Sequence, residues 1–165
     1  MLSEAQVIER TAQPYVALRE HVTMETIGRV LPGLHPGVFA WLGERGISPA
    51  GAPFWKYNVI DMSRELEVEV GVPVAAPTEG DDRVLGGTLP PGRYATVSYT
   101  GHPDGLVDAT ASLLKWAGEQ QLTWDVEQTP DGERWASRLE IYETNPAEEP
   151  DMSKWVTQLA FRLAD

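Results

Sequence analysis

Acidic and aromatic residues at strand spacing are the candidates for chemistry in this sequence. Glu140 and Tyr142 lie two positions apart in residues 138–146, where apolar and polar residues alternate with the period of a half-buried strand. Their side chains therefore share one face of the predicted strand, where a carboxylate and a phenol can meet a ligand. Leu139 and Ile141 face the other way, and we expect helices to cover that apolar face.

A catalytic role is one interpretation of this pair. A carboxylate in an apolar setting acquires a raised pKa and can act as general acid or base, so Glu140 and Tyr142 are the catalytic residues if the protein is an enzyme. The sequence has no cysteine, no Ser-His-Asp order, no paired metal ligands and no phosphate-binding glycine loop. We therefore favour binding over catalysis and expect neither metal nor cofactor. His21, His35 and His102 lie near predicted turns or strand ends and are interpreted as surface residues.

Composition and charge restrict the class of protein. The chain has 165 residues, 42% of them hydrophobic, and six tryptophans, which is typical of a folded domain with a sizeable core. The formal net charge of -12 opposes direct binding to nucleic acid or to an anionic membrane and favours a cationic partner. No segment has the pattern of a signal peptide or of a membrane span, so we expect a cytoplasmic protein.

Hydrophobic periodicity predicts an α+β fold. Strands are predicted at residues 7–18, with an interruption near residue 12, and at 54–59, 66–74, 84–89, 94–99, 138–146 and 155–163, and helices at 23–31, 38–45 and 104–121. Segment 66–74 alternates most regularly. Because Pro73 lacks a backbone donor, this strand should lie at a sheet edge or end there. The acidic residues 75–82, with their Pro and Gly, are the candidate linker.

The order strand, helix, strand, strand occurs twice at a period of roughly eighty residues, which predicts a duplicated module. Residues 41–44 and 116–119, at the ends of the two helices, form similar tetrads. We expect one domain, 1–165, whose halves 1–79 and 80–165 form one curved antiparallel sheet with helices on one face and a central ligand cleft. The cleft face should lie opposite the helices and carry Trp55, Tyr57, Glu67, Glu69, Glu140, Tyr142 and Gln158.

Aromatic walls with a few carboxylates suit a flat organic cation, which stacks on the rings and finds a countercharge. Two alternatives remain open. The aromatic residues can simply be core, and Glu140 can be an ordinary solvated side chain. Arg138 shares the predicted face of Glu140, and an internal ion pair between them would leave no countercharge for a ligand.

Several short motifs, taken in order, resemble the GyrI-like small-molecule-binding domain, also called the bacterial transcription activator effector-binding domain. The motifs are Pro53-Phe54 with Tyr57, residues 66–74, residues 89–95, Trp116, and Glu140-x-Tyr142-x-x-Asn145-Pro146. The resemblance covers residues 7–163. It implies two β-α-β-β modules of the SHS2 type around a central pocket, in which a glutamate and aromatic residues hold multidrug-like cations. Glu140 and Tyr142 match part of that set.

The resemblance also implies the candidate functions. In regulators this domain follows a helix-turn-helix module, but here Met1 leads almost directly into the first predicted strand, so we expect no direct DNA binding. For a stand-alone member, the resemblance implies binding or sequestration of hydrophobic, usually cationic, small molecules. This is the function we expect. Two alternatives remain: hydrolysis of reactive electrophiles such as cyclopropane-bearing toxins by Glu140, and binding to a protein partner, either gyrase or a regulator.

Overall fold

One antiparallel sheet organises the protein in a computed structural model that describes residues 1–165. None of its helices has the length and hydropathy needed to cross a membrane. The elements are β1 (Gln6–Arg10), β2 (Gln13–Val22), α1 (Ile27–Val30), α2 (His35–Glu44), β3 (Phe54–Ile60), β4 (Leu66–Pro73), β5 (Leu85–Leu89), β6 (Gly92–Thr100), α3 (Leu106–Glu119), β7 (Val126–Thr129), β8 (Gly132–Trp135), β9 (Arg138–Tyr142) and β10 (Val156–Arg162).

The strand order is β1-β6-β10-β9-β3-β4-β2-β5, and the β7–β8 hairpin joins the sheet through β8 and the end of β3. The central pair is β9 with β3, one strand from each predicted half. The α+β class and the single curved sheet with helices on one face are confirmed. Each predicted half contributes a strand to the sheet region of the other, since β1 pairs with β6 and β5 with β2. The halves 1–79 and 80–165 and their duplication stay predictions.

Of the two alternatives predicted for the regular strand β4, an edge position or an end at Pro73, the structure shows the second. β4 ends at Pro73, but it lies between β2 and β3 in the sheet. Pro73 is the last residue of the ladder, opposite Tyr15, so its missing N–H interrupts no central pairing. The segment that follows is fixed to α2, because the Asp81 carboxylate accepts hydrogen bonds from Trp41 at 2.9 Å and Arg45 at 3.0 Å.

Helices cover one face of the sheet. The helix α3 repeats small or apolar residues every four positions, and its buried Ala109 and Leu113 pack in the same core as Val97 of β6 and Leu159 of β10. The helix α2 buries its own apolar face on β2 and β4. Two separate helix-to-sheet contacts therefore flank the central strands β9 and β3.

A second core lies on the face that the helices do not cover. Its buried residues come from strands across the whole sheet order, and no helix contributes to it. The sheet therefore curls around this core and encloses it. Gly71 of β4 allows the close packing there, because a Cβ at this position would lie 2.6 Å from the Phe54 ring. The core consists of Tyr15, Ala17, Phe54, Leu89, Tyr94, Leu139, Ile141 and Ala160.

Candidate functional site

The two central strands carry a carboxylate surrounded by aromatic rings. Glu140 and Tyr142 project from β9, and Trp55 and Tyr57 project to the same face from β3, where Trp55 is directly opposite Glu140. The Trp55 and Tyr142 rings pack edge to face, with centroids 5.4 Å apart. We call these four residues the aromatic–acidic cluster.

The cluster lies on the helix side of the sheet, and the sequence prediction that it lies opposite the helices was wrong. Trp55 and Tyr57 pack against the core that α3 contributes to, together with Leu34, which precedes α2. Leu139 and Ile141, which we expected under the helices, belong to the core enclosed by the curl of the sheet. The cluster therefore lies between the two helix contacts, above the seam of β9 and β3.

Three of the seven predicted site residues do not join the cluster. Glu69 is opposite Lys56 of β3, and Gln158 is opposite Ile141 of β9, so both lie on the face away from the helices. Glu67, two positions before Glu69 on β4, lies on that face as well. The seven predicted site residues are therefore divided between the two faces of the sheet, four on one face and three on the other.

The surroundings of Glu140 shift the pKa of its carboxyl upward. Burial raises the pKa of this carboxyl above its ordinary value, while hydrogen bonds from Tyr142 and Tyr57 and the charge of Arg138 act in the opposite direction. The Tyr142 hydroxyl donates to Oε1 of Glu140 at 2.7 Å. Burial and the adjacent carboxylate raise the pKa of both tyrosines, so the phenols remain donors at neutral pH.

Arg138 does not form the internal ion pair with Glu140 that the sequence left open. No salt bridge links Arg138 to an acidic residue. Its guanidinium carbon lies 4.6 Å from the ring centre of Phe161, 4.8 Å from that of Trp135 and 5.9 Å from that of Tyr57. The carboxylate of Glu140 therefore has phenol donors and no cation in contact.

His35, at the start of α2, is a neighbour of the cluster that the sequence analysis missed. Its ring is edge-on to Tyr142 at a centroid distance of 6.1 Å, and its Nε2 lies 3.4 Å from the Phe54 carbonyl oxygen. Burial lowers the pKa of His35, which keeps the imidazole neutral at neutral pH. It was predicted on the surface and is half-buried, whereas His21 and His102 are exposed as predicted.

On the opposite face, Glu69 is held by its own neighbours. Its carboxylate accepts hydrogen bonds from Tyr15 and from the Asn58 amide, each at 2.5 Å. Lys56 Nζ lies 3.6 Å from the same carboxylate and donates to Asn58. Glu69 is thus a member of a buried polar network. No group of three or more potential metal-ligating side chains occurs in the protein.

Three solved structures have the same fold as this chain. The crystal structure of the EcmrR C-terminal domain aligns with a TM-score of 0.74 at 17% identity and covers 98% of each chain. A chain of the cryo-EM EcmrR–DNA complex aligns with a TM-score of 0.75 at 17% identity. The alignment covers 98% of the present chain and 57% of the EcmrR chain. SAV2435 bound to tetraphenylphosphonium aligns with a TM-score of 0.62 at 12% identity, covering 98% of this chain and 94% of that one.

The family is shown by sequence as well. The model of the GyrI-like small molecule binding domain matches residues 3–164, and the chain belongs to this family. The resemblance found in the sequence motifs is therefore confirmed. None of the curated proteins compared with the chain matches it in sequence. The protein is thus a small-molecule-binding domain by family, and its aromatic–acidic cluster lies on the helix side of the sheet.

Proposed function

We propose that this protein binds lipophilic organic cations at the aromatic–acidic cluster. The observation that carries the proposal is Glu140, a half-buried carboxylate among aromatic rings that forms no salt bridge within the protein. An ionised carboxylate in such surroundings is costly unless a cation joins it. The small-molecule-binding family and the tetraphenylphosphonium bound to SAV2435 support this ligand class.

The charge of Glu140 supplies only part of the expected affinity. Two unit charges about 4 Å apart attract by roughly 4 kcal/mol at an effective dielectric constant near 20, before the desolvation of both groups is subtracted. Cation–π contacts with the rings of Trp55, Tyr57 and Tyr142 add about 0.5–2 kcal/mol each. Because ring contacts tolerate many ligand shapes, we expect broad specificity among flat or aryl-bearing cations.

The free protein closes the cluster with its own rings. Trp55 packs on Tyr142, and Tyr142 packs on His35 at the start of α2. A ligand that stacks on these rings must replace edge-to-face contacts worth about 0.5–1.5 kcal/mol each. We expect the start of α2 to move away from β9 when the ligand enters, since this is the helical segment whose side chain covers Tyr142.

The indole of Trp55 suggests a further feature of the ligand. Its Nε1 is buried and has no hydrogen-bond partner. An unpaired buried donor costs about 1–3 kcal/mol. A cation that also presents an oxygen or nitrogen acceptor to this N–H should therefore bind more tightly than an otherwise similar cation without one.

The test is a tryptophan fluorescence titration with tetraphenylphosphonium and with its uncharged relative triphenylphosphine oxide. Glu140→Gln should weaken binding of the cation by about 10- to 100-fold, as expected for the loss of 1.4–3 kcal/mol, and should leave the uncharged compound unaffected. Glu143→Gln makes the same change in net charge on an exposed side chain and is the matched control. Equal cation affinity in wild type and Glu140→Gln contradicts the proposal.

A hydrolase of reactive electrophiles is the second candidate, and the proton affinity of Glu140 favours it. A carboxyl with a raised pKa beside a phenol donor can protonate the leaving atom of a strained ring while water attacks the carbon. Incubation with a cyclopropane-bearing alkylating agent and mass spectrometry of the product should then show addition of one water. The assignment fails if turnover is the same in Glu140→Gln.

A further inference from the structure

The face of the sheet away from the helices holds a polar cavity that the aromatic–acidic cluster does not use. Its volume of about 500 Å³ falls within the range of small-molecule sites, about 300–1,000 Å³. It lies between β2, β4 and β3 on one side and the β7–β8 hairpin on the other. Seven of its lining residues are polar side chains of the sheet and hairpin: Arg19, Lys56, Asn58, Glu67, Glu69, Glu127 and Arg134.

Two of the four acidic groups of this cavity, Glu69 and Asp125, are already held by hydrogen bonds within the protein. Glu69 is saturated by the buried network on the same face. Glu67 lies 3.4 Å from Nε2 of His21. Asp125 of the cavity wall accepts a hydrogen bond from Arg162 at 2.6 Å. Glu69 and Asp125 are therefore poorly available to hold a cationic ligand, whereas Glu67 has a charged partner only when His21 is protonated.

The basic groups of the cavity retain free donors. Arg19 and Arg134 form no ion pair, and their side chains make no hydrogen bond within the protein. Lys56 donates one hydrogen bond, so its ammonium has further donors to offer. Arg19, Glu69 and Lys56 form one row across β2, β4 and β3, which places both cationic groups beside the buried carboxylate. Among the acidic residues, the exposed Glu127 has no partner.

We propose that this cavity is a second binding site for a small polar molecule that carries an oxyanion. Arg19, Lys56 and Arg134 would hold this oxyanion, which is either a carboxylate or a phosphate group. Guanidinium groups bind both carboxylate and phosphate groups through paired N–H donors, and the amine of Lys56 adds a further donor. Because only Val126, Trp135 and Ala136 add apolar or small surface, the ligand differs in class from a lipophilic cation. The attraction is local in a protein of net charge -12, so it should weaken steeply with salt.

The environment of Lys56 gives an independent readout of occupancy. Burial lowers the pKa of this amine, and the neighbouring Glu69 raises it. A bound oxyanion adds a second negative neighbour. The pKa of Lys56, followed by the NMR signal of its ε-carbon, should therefore rise when the cavity is filled.

The experiment is an NMR titration of the ¹⁵N-labelled protein with inorganic phosphate and, separately, with succinate, at an ionic strength held constant with sodium chloride. Saturable chemical-shift changes around Lys56 on addition of phosphate indicate that the site takes a phosphate group. Saturable changes on addition of succinate indicate that it takes a carboxylate group. Arg19→Gln and Arg134→Gln should each weaken binding by about tenfold. Arg83→Gln, an exposed arginine outside the cavity, is the matched control.

The proposal is overturned if neither anion gives saturable shifts, if the shifts lie away from the cavity, or if both arginine variants bind like the control. These variants are preferred to Lys56→Met, which leaves Glu69 without its cation and endangers folding. Arg19 and Arg134 are exposed, so their replacement leaves the buried network intact. The result does not depend on cation binding at Glu140, which lies on the other face.

Discussion

Replacing Glu140 by Gln should stabilise the free protein at neutral pH while it removes the countercharge for a cation. The amide has nearly the shape of the carboxylate and keeps an oxygen that accepts the hydrogen bond of Tyr142. It carries no charge, so the desolvation cost that raises the pKa of Glu140 disappears. Stability and cation affinity are therefore expected to change in opposite directions.

The size of this stability gain depends on pH. The pKa of Glu140 is higher in the folded than in the unfolded state, so ionisation of this carboxyl destabilises the fold. The loss of stability begins near the pKa of the unfolded state, grows as pH rises, and is complete above the pKa of the folded state. Each unit of difference corresponds to about 1.4 kcal/mol. Gln does not titrate, so the advantage of the variant should be small near pH 4, roughly the unfolded value, and should grow towards neutral pH.

Urea unfolding followed by circular dichroism at several pH values measures this difference. The free energy of unfolding of Glu140→Gln, minus that of wild type, should increase with pH and then level off. The matched control is Glu143→Gln, in which the same change is made on an exposed side chain. A difference that is flat across the pH range, or a variant less stable than wild type at neutral pH, refutes the reasoning.

Three further substitutions test the surrounding contacts. Tyr142→Phe removes a hydrogen bond that lowers the pKa of Glu140, so strong cation binding should begin at higher pH in titrations, and an unshifted profile contradicts this role. Arg138→Met removes a buried positive charge near the site. At pH values above the pKa of Glu140, this variant should bind the cation several-fold more tightly than wild type, and weaker binding in the same titration contradicts this. Gly71→Ala forces a Cβ against Phe54 and should cost about 1–3 kcal/mol in urea unfolding, whereas a stability equal to wild type shows that the core can adjust.

Alternation in the sequence separated the two faces of β9 correctly but could not tell which face the helices cover. Leu139 and Ile141 are buried in the core enclosed by the sheet, and Glu140 and Tyr142 on the other face are half-buried between the helix contacts. An apolar row predicts burial, and burial by a curled sheet has the same two-residue pattern as burial by a helix. The curl depends on long-range strand order, which local periodicity does not contain.

The register between neighbouring strands was the second feature that the sequence could not predict. Glu69 was assigned to the face of Trp55, but the register of β3 and β4 places it opposite Lys56. A bulge between Tyr57 and Val59 shifts that register further along the pair. His35 was missed for a related reason, since its contact with the cluster arises from the packing of α2 and has no local pattern.

The most direct test of the central claim is the pH dependence of tetraphenylphosphonium binding to wild type and to Glu140→Gln. The charge of this ligand does not change with pH, so any proton linkage belongs to the protein. If Glu140 is the countercharge, wild-type affinity should rise by up to about tenfold per pH unit below the pKa of Glu140, level off above it, and be flat in the variant. The same pH dependence in both proteins, or no binding by either, contradicts the account.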